Sequence, residues 1–159
     1  MRIKSELVLY SDGSCSQATG GWGAVVVNPN TEKHVPLSGG PYNETTNNQM
    51  EMMAVIEGLN FIYKRIGPSS VLVISDSQYV INGATKWIHG WKKNGWFTAD
   101  KKPVKNAFLW RIMEQSRSLH KITRFEWVKG HDGNRFNEMA DELAVMKRAS
   151  DEKALGVQA

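Results

Sequence analysis

Residues 6–12, Glu6-Leu-Val-Leu-Tyr-Ser-Asp12, form an apolar run that predicts a strand closing in the turn Asp12-Gly13-Ser14. Period-2 spacing puts Asp12 on the same face as Val8 and Tyr10. Gly21-Trp-Gly-Ala-Val-Val-Val27, stopped by Asn28-Pro29-Asn30, predicts a second strand. Residues 32–38 give a weaker third, where Pro36 points to a sheet edge. Three successive strands with short turns imply an antiparallel meander.

A helix follows. Thr46 and Gln49 have the spacing of a capping box. At 100° per residue Glu57, Asn60 and Lys64 share a narrow polar sector, while Glu51 falls on the opposite side beside Val55, Gly58, Leu59 and Ile62. A carboxylate centred on an apolar face is costly to desolvate unless something pairs with it. A salt bridge to a buried arginine or lysine is the alternative to a functional role. Val71-Leu-Val-Ile-Ser75 is short, apolar and β-branched, as suits a central strand covered on both faces. It stops at Asp76, which is either a site residue at a strand's C-terminal end or the plain N-cap of a helix starting at Ser77.

The segment 86–105 is broken by Asn94-Gly95 and Lys102-Pro103, and a helix from about Val104 to Leu119 is expected after it. Ile122-Thr-Arg-Phe-Glu-Trp-Val128 predicts a fifth strand, followed by the loop Lys129-Gly-His-Asp-Gly-Asn134 and a last helix from about Asn137 to Arg148. The order β-β-β-α-β-α-α-β-α predicts an α/β fold: a five-stranded mixed sheet, its first three strands antiparallel, flanked by helices. One domain is expected over 1–149, with 150–159 a polar, flexible C-terminal tail.

Composition changes this picture in one place. Apolar residues make up 41% and charged residues 23% of 159, ordinary for a soluble domain. The N-terminus has no apolar core of a signal sequence and no run is long enough to cross a bilayer, so a cytoplasmic setting is expected. The net charge of +4 is unevenly spread: Lys86, Lys92, Lys93, Lys101, Lys102 and Lys105 face only Asp100, a local +5 that leaves the rest at −1. Such a patch suits a polyanion. Its tryptophans, Trp87, Trp91 and Trp96, either stack on a nucleic acid or anchor a protruding helix. The expectation is that they divide, some indoles packing while Lys92 and Lys93 face solvent and ligand. Cys15, the only cysteine, excludes an internal disulfide.

Asp12, Glu51, Asp76 and Asp141 each stand at an element end or on an apolar face. Several oxygen ligands suit a hard dication, magnesium first where substrate phosphates complete the shell. Two ions about 3.5–4 Å apart can serve both attack and departure at a phosphate. His131, in a loop between glycines, either shuttles a proton or is a plain exposed histidine. His34, His89 and His120 have no such context.

Taken together, Asp12-Gly-Ser-Cys15, Thr45-Thr-Asn-Asn-Gln-Met-Glu51, Ser75-Asp-Ser-Gln-Tyr-Val80, Trp87-Ile-His-Gly-Trp-Lys-Lys93, Trp127-Val-Lys-Gly-His-Asp-Gly133 and Asn137-Glu-Met-Ala-Asp141 resemble a type 1 ribonuclease H, in order, from about Leu7 to Arg148. The lysine–tryptophan segment resembles the basic protrusion of the bacterial form. The resemblance implies a metal-dependent endoribonuclease that cuts the RNA strand of RNA–DNA hybrids by a two-metal-ion mechanism, leaving 5′-phosphate and 3′-hydroxyl ends. It implies Asp12, Glu51, Asp76 and Asp141 as metal-binding catalytic acids, with Mg2+ or in its place Mn2+, and His131 as a mobile catalytic histidine. Asn47, Asn48 and Gln78 match contacts in the hybrid's minor groove, and Cys15 matches a position near the cleaved strand. Thr46, Lys105 and Asn106 match a pocket for a DNA phosphate. Tyr79, Trp87, Lys92, Lys93 and Trp96 match the channel and protrusion that hold the DNA strand. A monomer is expected. Two departures stand out: a shortened loop 16–19, and Gln49 where a basic residue is common. The alternatives are a catalytically weak hybrid-binding module and another nuclease of the same fold, such as a junction resolvase or integrase core.

Overall fold

A computed structural model describes residues 6–130 and 132–158, with side chains as far as 150. The elements are β1 (Leu7–Ser16), β2 (Thr19–Val27), β3 (His34–Tyr42), α1 (Asn47–Arg65), β4 (Ser70–Ser75), α2 (Gln78–Asn82), a π-helical turn (Gly83–Trp87), α3 (Ile88–Lys93), α4 (Ala107–Ser118), β5 (Ile122–Trp127) and α5 (Arg135–Gln158). The sheet order is β3-β2-β1-β4-β5. β1, β2 and β3 pair antiparallel, while β4 lies parallel to β1 and β5 parallel to β4. The five-stranded mixed α/β sheet is as the sequence predicts.

Alternation within the strands divides the core between the two faces. Leu9, Val71 and Val73 point to α1, where they meet Val55, Leu59 and Ile62 and, from α4, Trp110 and Met113, all fully buried. Val8, Val25, Val27 and Ile74 point the other way, to Ala140 and Leu143 of α5. β4, continuously apolar, is covered on both sides.

Several local features differ from those the sequence predicts. β1 does not turn at Asp12-Gly13-Ser14; it stays paired, Gly13 opposite Trp22, as far as Ser16 opposite Thr19. The chain reverses at Gln17 and Ala18, whose φ of 52° and 65° are the double left-handed geometry of a type I′ hairpin, normally given to Asn-Gly. Glycine at 13 serves a close approach: a Cβ there would stand 2.7 Å from the Met50 carbonyl carbon and nearer still to the Glu51 nitrogen. Only half of the capping box forms, since Thr46 Oγ1 accepts from Gln49 N at 3.1 Å while the Gln49 side chain points elsewhere. α4 starts at Ala107 because Asn106 is left-handed (φ 60°).

The last helix begins at Arg135, capped by Asn134 Oδ1, which accepts from Phe136 N and Asn137 N. It continues beyond Arg148 to Gln158, through Asp-Glu-Lys-Ala-Leu, a sequence rich in helix formers. The chain is helical at 83–93, leading into the basic segment, as the protruding-helix reading of its tryptophans has it. No helix among the described residues is long and apolar enough to cross a membrane.

Candidate active site

Asp12 sits inside β1, Glu51 near the start of α1 and Asp76 one residue past β4, at the same end of the sheet. One oxygen from each lies within 4.8 Å of the others. The contact exists because bare Gly13 lets the start of α1 press onto β1 beside Asp12. Asp141, on α5 across the other face, is near enough to Asp12 to raise its pKa but stands outside that group of three. Asp76 is held by its surroundings: Trp127 Nε1 donates to its carbonyl at 3.1 Å, and Gly130 approaches so closely that a Cβ would lie 2.9 Å from Asp76 Oδ2.

Both alternatives weighed for these acids fail in the structure. Ser77, not Asp76, caps α2, with its hydroxyl accepting from Val80 N at 3.2 Å. Glu51 has no arginine or lysine beside it among the described ion pairs. Glu6 shows what a structural buried acid looks like here: it is 1% exposed and bonded to Arg124 through both oxygens, at 2.7 and 3.0 Å. Glu51 is 4% exposed, yet its Oε2 has no hydrogen-bond partner.

Burial and mutual repulsion favour the protonated forms of two of these acids. Burial pushes the Asp12 carboxyl up to about 7, aided by the charge of Asp76 and by nearby Asp141, and opposed by bonds from Glu51 and from Gly13 N. Burial, then Asp12, then Asp76 push Glu51 well above the ordinary carboxylate range. Three converging carboxylates, one with an unpartnered oxygen, fit a hard divalent cation.

Around this centre the other predicted residues fall into two groups. Asn47 and Asn48 open α1, Cys15 lies half-buried with Sγ 3.5 Å from the Thr45 carbonyl, and exposed Gln78 borders a 280 Å3 hollow with Ile81, Asn82 and Trp127. Farther out, Tyr79 and Trp87 meet edge-on at 6.1 Å, Trp87 and Trp91 lie 6.0 Å apart, and Trp91 and Trp96 6.5 Å apart. Trp91 and Trp96 pack against the core, whereas Trp87 is 42% exposed, so the indoles divide as expected. Lys93 and Lys105 are exposed. Lys92 differs from expectation: it is exposed but already paired, with Nζ 2.7 Å from Glu114 Oε2.

This end of the sheet, with its carboxylates and a lysine–tryptophan arm, can be set beside known proteins. The ribonuclease H family model matches residues 4–149. The chain belongs to the ribonuclease H family. It is 49% identical over 144 residues to a ribonuclease H of Mesorhizobium japonicum, covering 89% of this chain and 77% of that protein. A Cupriavidus metallidurans ribonuclease H is 51% identical over 141 residues, 87% of this chain and 92% of that protein. The solved structure of LC9-RNase H1, described as a type 1 RNase H with the type 2 active-site motif, superimposes with a TM-score of 0.76 at 29% identity, covering 94% of this chain and 75% of that one.

Of the four acids singled out in the sequence, Asp12, Glu51 and Asp76 come together in the structure, and the residues that support them carry no signal of their own. Gly13, Gly130 and Trp127 lie inside the quoted motifs without a role; only the setting of Gly13, a glycine beside an acid, could have pointed to one. His131 lies outside the described residues. His120 is structural: its Nε2 bonds the Leu59 carbonyl at 2.9 Å and its Nδ1 accepts from Ser69 N at 3.2 Å.

Proposed function

We propose that this chain hydrolyses the RNA strand of RNA–DNA hybrids as a divalent-metal-dependent endonuclease, leaving 5′-phosphate and 3′-hydroxyl ends. The observation that carries the proposal is the convergence of Asp12, Glu51 and Asp76, with buried Glu51 Oε2 unpartnered, in a chain of the ribonuclease H family. Asp12, Glu51, Asp76 and Asp141 would hold two divalent ions, magnesium by preference with manganese able to substitute. Bound ions supply Lewis acidity for attack by water on the scissile phosphorus and for departure of the 3′ oxygen.

The chain's own contribution is position and proton management. Asp12 and Glu51 must give up their protons as metal enters, so loading is linked to pH. Gly13 N, donating to Asp12 Oδ1 at 2.9 Å, and Trp127 on the Asp76 carbonyl keep two of the ligating residues from turning. His131 is assigned the proton of the attacking water or leaving oxygen on the strength of the family pattern. Asn47, Asn48, Gln78 and Cys15 would face the cleaved strand, where 2′-hydroxyls distinguish RNA from DNA. Thr46, Lys105, Asn106, Tyr79, Trp87, Lys92, Lys93 and Trp96 would hold the DNA strand, mainly through phosphates and hence with little sequence preference. A ribonuclease H domain over 1–149 with a polar C-terminal tail over 150–159, a cytoplasmic setting and a monomeric state belong to the same proposal.

The test is cleavage of end-labelled hybrid by the purified chain. Cutting of the RNA strand alone with magnesium, duplex DNA being spared, is the expected result. No cutting at any magnesium or manganese concentration overturns the proposal.

A further inference from the structure

Gln49 stands two residues before Glu51, but its side chain runs away from the acids toward the start of α4. Oε1 accepts from the Thr45 hydroxyl at 3.0 Å, and Nε2 donates to Asn106 Oδ1 at 3.2 Å. Asn106 Nδ2 donates in turn to the Tyr79 hydroxyl at 3.0 Å, which also accepts from Trp110 Nε1 at 3.2 Å. Four hydrogen bonds thus join the loop before α1, α1 itself, the start of α4 and α2.

Asn106 is an unusual member of this chain of bonds. It is left-handed and it opens α4, a position where an asparagine oxygen ordinarily caps the first turn. Here it caps nothing, because Gln49 holds its oxygen and Tyr79 engages its nitrogen. The carboxamide plane is therefore fixed by two partners on different elements. A carboxamide nitrogen carries two N–H groups, and Asn106 and Gln49 each use one in the network. The second N–H of each makes none of these bonds; both residues are half-buried, Asn106 directly after exposed Lys105 and Gln49 N donating to Oγ1 of exposed Thr46.

We propose that Gln49 is a positioning residue for the nucleic-acid backbone, presetting the Asn106 carboxamide as a neutral donor to a phosphate held beside Thr46 and Lys105. This rests on the reading above that Thr46, Lys105 and Asn106 meet a DNA phosphate. Gln49 carries no charge, so it acts through orientation and not through counterion release. Its share of binding keeps the same size from low to moderate salt, unlike that of a lysine.

The experiment is fluorescence anisotropy of a labelled RNA–DNA hybrid with calcium in place of magnesium, on the full chain and on Gln49→Met, Asn106→Ala and the double variant. Gln49→Met removes both side-chain bonds at similar volume. It is expected to raise Kd about fivefold, the worth of roughly one hydrogen bond, by the same factor at low and moderate salt, with Tm nearly unchanged. In the Asn106→Ala background the same substitution changes Kd no further. An unchanged Kd, an equal loss in the Asn106→Ala background, or a loss that fades with salt overturns the proposal; so does an Asn106→Ala variant that binds as tightly as the parent. If Gln49→Met does not fold, Gln49→Glu keeps the Thr45 bond and loses the Asn106 bond. The Asn106-dependent part of its loss must then appear. A hybrid that is bound in this pattern but never cut defeats the proposed activity and leaves Gln49 its role. Cutting without this pattern does the reverse.

Discussion

The acidic centre and the basic arm at 86–105 handle charge in opposite ways. At the centre, acids from β1, α1 and the end of β4 converge, two of them buried with their carboxyls pushed toward the protonated form. Along the arm the lysines are exposed, Lys92 is answered by Glu114, and the backbone is irregular, with φ of 70° at Trp96 and 61° at Lys101. The centre is preorganised at a cost in stability that an incoming cation relieves. The arm operates in high dielectric, where each charge is worth little alone and salt screens it. Changes at the centre should therefore be close to all-or-none, and changes on the arm graded.

The largest break comes from Asp12→Asn. Removing one ligand should lower single-turnover cleavage about a thousandfold, roughly 4 kcal/mol of transition-state stabilisation; a loss below tenfold would separate Asp12 from the chemistry. Next in size is an effect of pH on the metal-free chain. The folded-state pKa of Asp12, about 7, lies above its unfolded value of 3.8, so the folded form binds the extra proton between those values. Stability from this group is complete below the unfolded pKa and is lost as pH rises through about 7. With chelator present, Tm should fall between pH 5 and pH 8, and magnesium should restore it most at the higher pH. Asp12→Asn should also raise the chelated chain's Tm at pH 8 by on the order of 5 °C. A flat pH profile of Tm would contradict the proton-held centre.

On the arm, Lys93→Ala should raise KM about threefold with kcat unchanged and reduce the salt slope of binding by about one. Lys92→Ala should do less, since Glu114 already engages that ammonium; equal effects would show that the pair opens when the ligand arrives. Smallest of all, Ala18→Gly should stabilise the chain by about 0.4 kcal/mol in urea titration, the relief of a left-handed alanine being partly offset by glycine's freedom in the unfolded chain.

The fold was legible where burial imposes a period. The apolar run 71–75 and the lopsided 46–64 helix announced a covered strand and a buried Glu51. It was illegible where a tertiary contact overrode local preference. Gly13-Ser14 has the composition of a turn, but the absence of a side chain at 13 serves the α1 contact and the strand goes on. Asn106 blocks a helix that its neighbours would extend back to Val104. Of the site, Asp76's place at a strand end was readable. Asp12 and Asp141 could be selected only through the family resemblance, because nothing local marks an exposed-looking aspartate as one of a set. The Gln49–Asn106 link spans 57 positions, and no spacing rule reaches that far.

Between α2 and α3 the helix makes its π turn at Gly83–Trp87. A π turn accommodates one residue more than an α-helical path would need. Each residue advances an α-helix by about 100°, so the surplus acts as a phase shifter for everything on α3. Deleting one residue from 83–87 would swing Trp91, Lys92 and Lys93 together to another side of the arm without altering any of them. In this chain the aim of the basic surface is set by a length, and a lineage could re-aim it in one step by an indel where substitutions would have to change each side chain in turn.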